Sequence, residues 1–143
     1  MNYRNMQLSD YDGVMALWRE CDGVSLREAD LPDGIGKYLE RNPGLSFVAQ
    51  QGNRIVGTIM AGHDGKRGYI QHLAVATKLR KKGVGGHLVE HCLDALKSQG
   101  IVKSHVHVLN HNKPGGEFWT RLGWMQRAEI VMYSFINGDN KNS

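Results

Sequence analysis

Cysteine is scarce in this 143-residue chain: Cys21 and Cys92 are the only two, far apart and each set in helix-like apolar spacing. That excludes a disulfide framework and a zinc knuckle, and predicts two buried small hydrophobes. Proline is nearly as rare, at three residues, and no Ser/Pro-rich stretch marks a linker. No apolar run approaches the roughly 20 residues needed to cross a bilayer. Residues 1–12 lack the basic start and apolar centre of a secretion signal, so the expectation is a cytoplasmic protein with no membrane partner.

What is present is globular. Hydrophobic residues make up 41% and charged residues 22%, enough apolar surface to offset the entropy of ordering the chain. Single cores usually span about 100–150 residues. The prediction is one domain over residues 1–136 followed by a flexible polar tail, 137–143. A net charge of +4 favours anionic partners without choosing among nucleic acid, phosphorylated cofactors and acidic surfaces.

Hydrophobic spacing divides the chain. Residues 3–8 read as a strand. Ser9 then offers an N-cap ahead of Val14, Leu17, Trp18 and Cys21 on one helical face. An acidic loop leads to a short helix with Asp33 as its cap and Ile35, Tyr38 and Leu39 on one side, ended by Asn42-Pro43-Gly44. Residues 45–50, 54–61 and 69–75 are strand-like with short glycine-containing links, hence antiparallel neighbours. A glycine-rich loop then opens a helix carrying Leu88, Cys92, Ala95 and Leu96 and closing at Gly100. Residues 101–109 read as a strand, 116–122 as a short helix, and 125–136 as one or two final strands. The helix between residues 75 and 101 is long enough to be a crossover, so the class is α/β with a mixed sheet.

The richest stretch is Arg80-Lys81-Lys82-Gly83-Val84-Gly85-Gly86. It follows a strand and precedes a helix, where unpaired amides and the helix dipole favour an anion and glycines admit it to the backbone. Lys78 adds a fourth nearby cation. A Walker loop is excluded because Gly86-His87-Leu88 lacks the terminal Gly-Lys-Ser/Thr. A Rossmann fingerprint is excluded because Leu88 stands where the third glycine belongs and no acid follows about 20 residues on. Two readings of the loop remain: a phosphate cradle, or a tight turn with a solvated basic face. No helix pairs a basic face with a nucleic-acid reading motif, so nucleic acid is not an expected partner.

The loop resembles the R/Q-x-x-G-x-G/A acyl-CoA pyrophosphate loop of the GNAT superfamily of acyltransferases, met here by Arg80, Gly83 and Gly85. Around it stand Leu73-Ala74-Val75, the strand at Val106-His107-Val108, and Asn112 with Gly123-Trp124 after it. The likeness covers nearly the whole chain and is greatest to small bacterial members similar to ribosomal-protein N-terminal acetyltransferases. It implies a mixed, mostly antiparallel sheet of six to seven strands with about four helices, splayed at the acyl-CoA site. It also implies acetyl-CoA as cosubstrate, no metal, and a primary amine on a small molecule or peptide as acceptor, in a monomer or homodimer. By the same resemblance, Leu73, Ala74 and Val75 would meet the pantetheine arm through their backbone. Arg80, Lys81, Lys82, Gly83, Val84, Gly85 and Gly86 would form the diphosphate loop, and Asn112 would bind the pantetheine side. The implied chemistry is direct attack by an amine on the thioester, with a backbone N–H near Leu73 or Val75 as oxyanion donor.

An amine must first lose a proton, at a cost near pH 7 of about 4.6 kcal/mol for a lysine-like group and about 1 kcal/mol for an α-amine. Similar enzymes often carry a carboxylate where this chain has His107, whose imidazole suits a base or water relay. A packing role for His107, or a metal site with His105, stays open on the sequence. His72 and Glu117 are the weaker substitutes. Trp119 falls where the family usually places a tyrosine that protonates the leaving thiolate, and indole is no useful acid. No acid is therefore assigned, Trp119 is kept as a cofactor contact, and the alternative function is a non-catalytic acyl-CoA-binding sensor or partner module. Trp18, Asp22, Glu28, Asp30 and Asp33 are candidates to hold the acceptor's ammonium group.

Overall fold

A computed structural model describes residues 1–21, 24–140 and 142–143. Five strands form one sheet in the order β1 (Asn2–Asn5), β2 (Phe47–Gln51), β3 (Arg54–His63), β4 (Gly68–Val75) and β5 (Ser104–Val106). The first four are antiparallel neighbours, and β5 runs parallel to β4. The parallel step is made by α3 (Val84–Ser98), the crossover that the sequence predicts. Helices α1 (Tyr11–Glu20), α2 (Pro32–Arg41) and α4 (Lys113–Arg121) complete the α/β fold.

The core lies between the sheet and the apolar stripes of α1 and α3. Val14, Leu17 and Trp18 of α1 and Leu88, Val89, Cys92 and Leu96 of α3 are buried, against Val48, Ile59, Met60 and Ile70 of the strands. Both cysteines are free and buried, as expected, and burial pushes the Cys92 thiol far up. At Gly57 an added Cβ would lie 3.0 Å from Leu88 and 3.2 Å from Val84. That glycine lets α3 settle close onto β3.

Several boundaries depart from the sequence reading. β1 ends at Asn5, because a 3-10 turn at Leu8–Asp10 begins, tied by the Gln7 N–H to Asp10 Oδ2. Asp10, not Ser9, is the N-cap of α1. Helix α2 starts at Pro32, whose fixed φ suits the first turn, so Asp33 sits inside the helix and Leu31 is the N-cap. Helix α4 starts three residues early because the Asn112 side chain caps it. Only residues 104–106 of the expected 101–109 strand are paired. The sheet has five strands rather than six or seven, since residues 125–136 form no strand among the described residues. A strand needs a backbone partner, and this segment has none among the described residues.

Candidate active site

β4 and β5 form a wedge. They pair only through Gly68–Ser104, Tyr69–His105 and Ile70–Val106. At the narrow end a Cβ on Gly68 would lie 2.4 Å from Ser104 Oγ, so glycine is what lets the strands close. Beyond Ile70 the pairing stops while β4 runs on to Val75, so Leu73, Ala74 and Val75 have no strand beside them on the β5 side. β4 and β5 thus diverge along Leu73, Ala74 and Val75.

The mouth of this wedge holds the glycine loop. Lys81 (φ 62°) and Gly83 (φ 87°) are both left-handed, a backbone irregularity of the kind that builds anion-binding concavities. Gly83 is the N-cap of α3, so the N–H groups of Val84, Gly85 and Gly86 are first-turn donors without partners in the helix. Arg80 donates from Nε to the Val75 carbonyl at 3.1 Å, fastening the loop to the end of β4. Lys78, Lys81 and Lys82 are exposed around it. Unpaired amides, a positive helix end and exposed cations in one place suit a diphosphate.

Across the wedge, Asn112 and Trp119 have structural duties. Asn112 Oδ1 accepts the Gly115 N–H at 3.1 Å, capping α4. Trp119 is 7% exposed and packs edge-on to Phe118 and Trp124, with ring centres 5.2 and 4.6 Å apart. His107 is exposed one residue past the end of β5, and Glu117 is exposed on α4.

The better-organised imidazole is His72. A β-bulge interrupts the β3–β4 register between Thr58 and Met60, and His72 there adopts φ 52°. A left-handed non-glycine costs about 1–2 kcal/mol and persists only where its surroundings fix it. Here they do: Thr58 Oγ1 donates to the His72 carbonyl at 3.0 Å, and Trp18 Nε1 donates to Thr58 Oγ1 at 2.8 Å. The Trp18 and His72 rings meet edge-on at 4.7 Å. The bulge turns His72 to Asp30, with Nε2 to Oδ1 at 2.8 Å, while Asp30 Oδ2 accepts the Arg27 N–H at 2.9 Å. With Nε2–H donating to the carboxylate, Nδ1 is left as the proton acceptor.

Asp30 also lines a cleft of about 380 Å³ together with Met15, Leu26, Arg27, Glu28 and Leu31. Of the ammonium candidates, Glu28 and Asp30 therefore share one cleft. Asp33 is exposed on α2, Trp18 is 1% exposed beneath the site with its N–H engaged, and Asp22 lies outside the described residues. Nothing in the sequence marks the bulge or Thr58, and His72 stands out there only as a weaker substitute for the base. Among the described residues no group of three or more His, Cys, Asp or Glu side chains is placed to hold a metal ion.

Residues 11–124 match the Acetyltransferase (GNAT) family. An acetyltransferase of Yersinia enterocolitica is 34% identical over 133 residues, 92% of this chain and 93% of that protein. Among solved structures, Ard1 from Thermoplasma volcanium superposes with a TM-score of 0.78 at 19% identity, covering 89% of this chain and 84% of that one. AAC(6')-Iy, solved in complex with the bisubstrate analog CoA-S-monomethyl-acetylneamine, gives a TM-score of 0.76 at 17% identity, covering 94% of this chain and 97% of that one.

Proposed function

Because the chain belongs to the acetyltransferase (GNAT) family, we propose that it moves the acetyl group of acetyl-CoA to a primary amine held in the cleft beside Asp30, with His72 as the base. The observation that carries this reading is the His72–Asp30 contact at 2.8 Å, on the strand that forms one wall of the wedge. Acetyl-CoA supplies an activated acyl group on a thiol leaving group. The diphosphate is assigned to the N–H groups of Val84, Gly85 and Gly86 with Lys81 and Lys82, and the pantetheine arm to the backbone of Leu73, Ala74 and Val75. A backbone N–H at Leu73 or Val75 is the oxyanion donor.

His72 takes the ammonium proton at Nδ1, and Asp30 orients the ring and stabilises its cationic form, the role a carboxylate plays beside any catalytic imidazole. Glu28 adds negative charge at the cleft and favours a cationic acceptor. His107, exposed on the opposite wall, is the alternative base, and Trp119 and Asn112 are assigned to the cofactor side of that wall. The acid role stays unassigned, since a thiol near pKa 8.5 leaves tolerably as thiolate.

The test is thiol release from acetyl-CoA over a panel of small amines and peptides, beside the melting temperature with and without acetyl-CoA. Ligand at about 100 times its dissociation constant adds roughly 2.7 kcal/mol of stability. A clear rise in melting temperature and turnover with some amine are expected. A rise without turnover on any acceptor favours the acyl-CoA-binding sensor, and no rise removes acetyl-CoA from the site.

A further inference from the structure

The contact between His72 and Asp30 joins side chains 42 residues apart in sequence, and the carboxylate stands on a slight support. Glu28–Asp30 is a single 3-10 turn, held from within by Asp30 N–H to Arg27 O at 2.9 Å and Leu31 N–H to Glu28 O at 3.0 Å. A piece this short gains nothing from helix cooperativity. The bond it presents is exacting, since a contact at 2.8 Å ceases to be a hydrogen bond once stretched to about 3.6 Å.

Helix α1 gives the pair its rigidity. Its first residue, Tyr11, donates from Oη to the carbonyl of Asp30 itself at 2.8 Å, while the ring is half-buried against the core. In the last turn of the same helix, Trp18 donates from Nε1 to Thr58 Oγ1, which in turn donates to the His72 carbonyl. Residues at i and i+7 lie on one helical face, about two turns apart. Both members of the pair are therefore referred to one stiff element, Asp30 to the start of α1 and His72 to its end.

Helix α2 closes the turn from the other side. A Cβ on Gly34 would lie 2.0 Å from the Ala29 carbonyl oxygen and 2.7 Å from the carbonyl carbon, so the backbone of α2 rests on the residue before Asp30. Glycine alone permits that approach. The turn is thus tied by Tyr11 and pressed by Gly34.

We propose that Tyr11 is a positioning residue for the transfer, with α1 as the frame that sets the distance between His72 and Asp30. The inference rests on His72 as the base. The described residues lining the cleft beside Asp30 do not include Tyr11, and its hydroxyl is committed to the main chain. Tyr11 therefore acts on kcat, through the aim of the carboxylate at Nε2, and not on the affinity of either substrate. A displacement of about 1 Å near the reacting groups can cost about 10²-fold in rate, and losing one of several ties on the turn costs less.

Tyr11→Phe keeps the ring and removes Oη. Steady-state kinetics are expected to give a kcat about tenfold lower, with KM for acetyl-CoA and for the acceptor little changed. A hydroxyl that served the fold alone would lower the melting temperature and leave kcat per folded molecule as it was. The second readout is the double variant: once His72→Gln has removed the base, adding Tyr11→Phe should lower the melting temperature further without lowering kcat further. Wild-type kcat in Tyr11→Phe, with His72→Gln impaired, would overturn the positioning role and leave the base in place. So would a kcat in the double variant that falls below that of His72→Gln by the full factor seen for Tyr11→Phe alone. Undiminished kcat in His72→Gln would remove the base assignment, and this inference with it.

Discussion

A Cβ added to Gly85 would lie 3.1 Å from Cε1 and 3.2 Å from Cζ of Phe118, so the first turn of α3 and the middle of α4 touch with no space between them. Gly85→Ala gains about 0.5–1 kcal/mol of helix preference and spends it against overpacking worth about 1–3 kcal/mol. A stability change from near zero to a loss of about 2 kcal/mol is expected, with the acetyl-CoA-induced rise in melting temperature largely kept. Gly85→Trp has no such compromise. It must displace Phe118 or distort the turn that presents the amides, and the rise should vanish. Thermal melts of both variants with and without acetyl-CoA check this, and an undiminished rise in Gly85→Trp would remove the loop as the cradle.

Replacing His72 by Gln keeps a polar side chain and removes the base. A fall in kcat of about 10²–10⁴ is expected, with KM for acetyl-CoA little changed, because the ring is not assigned to the cofactor. The fall should be larger for a lysine-like acceptor, whose deprotonation at pH 7 costs about 4.6 kcal/mol, than for an α-amine at about 1 kcal/mol. Asp30→Asn should show a smaller loss, since the ring keeps a polar partner but loses its carboxylate. Steady-state rates on the two acceptor types decide. If His72→Gln retains full kcat while His107→Ala loses it, the base belongs to the β5 wall.

How much of this was legible beforehand follows from which interactions are local. The loop from Arg80 to Gly86 sits where the sequence puts it because strand, glycines and helix start are consecutive in the chain. The parallel pairing of β5 with β4 follows from the same stretch, since a long crossover helix joins them, whereas the splay is legible only through the family resemblance. The setting of His72 is not legible in the sequence because it depends on Thr58, Trp18 and Asp30, each from a different element, and nothing in a linear pattern announces a bulge. Trp18 was placed on the substrate side for the converse reason: its spacing marked a buried stripe correctly, but what its indole N–H meets is a tertiary fact. The final strands expected at 125–136 are missing because an apolar run shows only local preference, while strand formation needs a second backbone, and the described residues offer this segment none.

The support beneath His72 can be tested apart from its chemistry. In Thr58→Val the buried Trp18 N–H loses its acceptor and the half-buried His72 carbonyl loses its donor. An orphaned buried group costs about 1–3 kcal/mol, so the midpoint of urea unfolding should fall accordingly. Trp18→Phe in the Thr58→Val background removes the stranded N–H. The double variant should then be less destabilised than the sum of the two single variants, a coupling that a double-mutant cycle reads directly. Simple additivity would mean that the two side chains do not communicate and that the bulge is held by something else.

Acid stability offers a check at the far end of the sheet. Arg4 Nη1 and Nη2 each donate to Asp10 at 2.8 Å, and Asp10 also accepts the Gln7 N–H at 2.9 Å. The Arg4 bond is the main reason that the Asp10 carboxyl lies below its ordinary range, with the Gln7 N–H acting in the same direction. A carboxyl whose folded pKa is depressed stabilises the fold fully at pH values above the unfolded value, about 3.9, and loses that contribution as pH falls through the folded value. Arg4 stays protonated throughout, so the whole effect titrates with Asp10. Asp10→Asn should therefore cost about 1–2 kcal/mol at neutral pH, within the range of charge-assisted bonds at a half-buried site. The gap from wild type should hold down to about pH 5 and close progressively below pH 4. Urea unfolding of both proteins across that range measures it, and a gap that stays constant into acid would mean that Asp10 acts as a turn residue alone and that its charge contributes nothing.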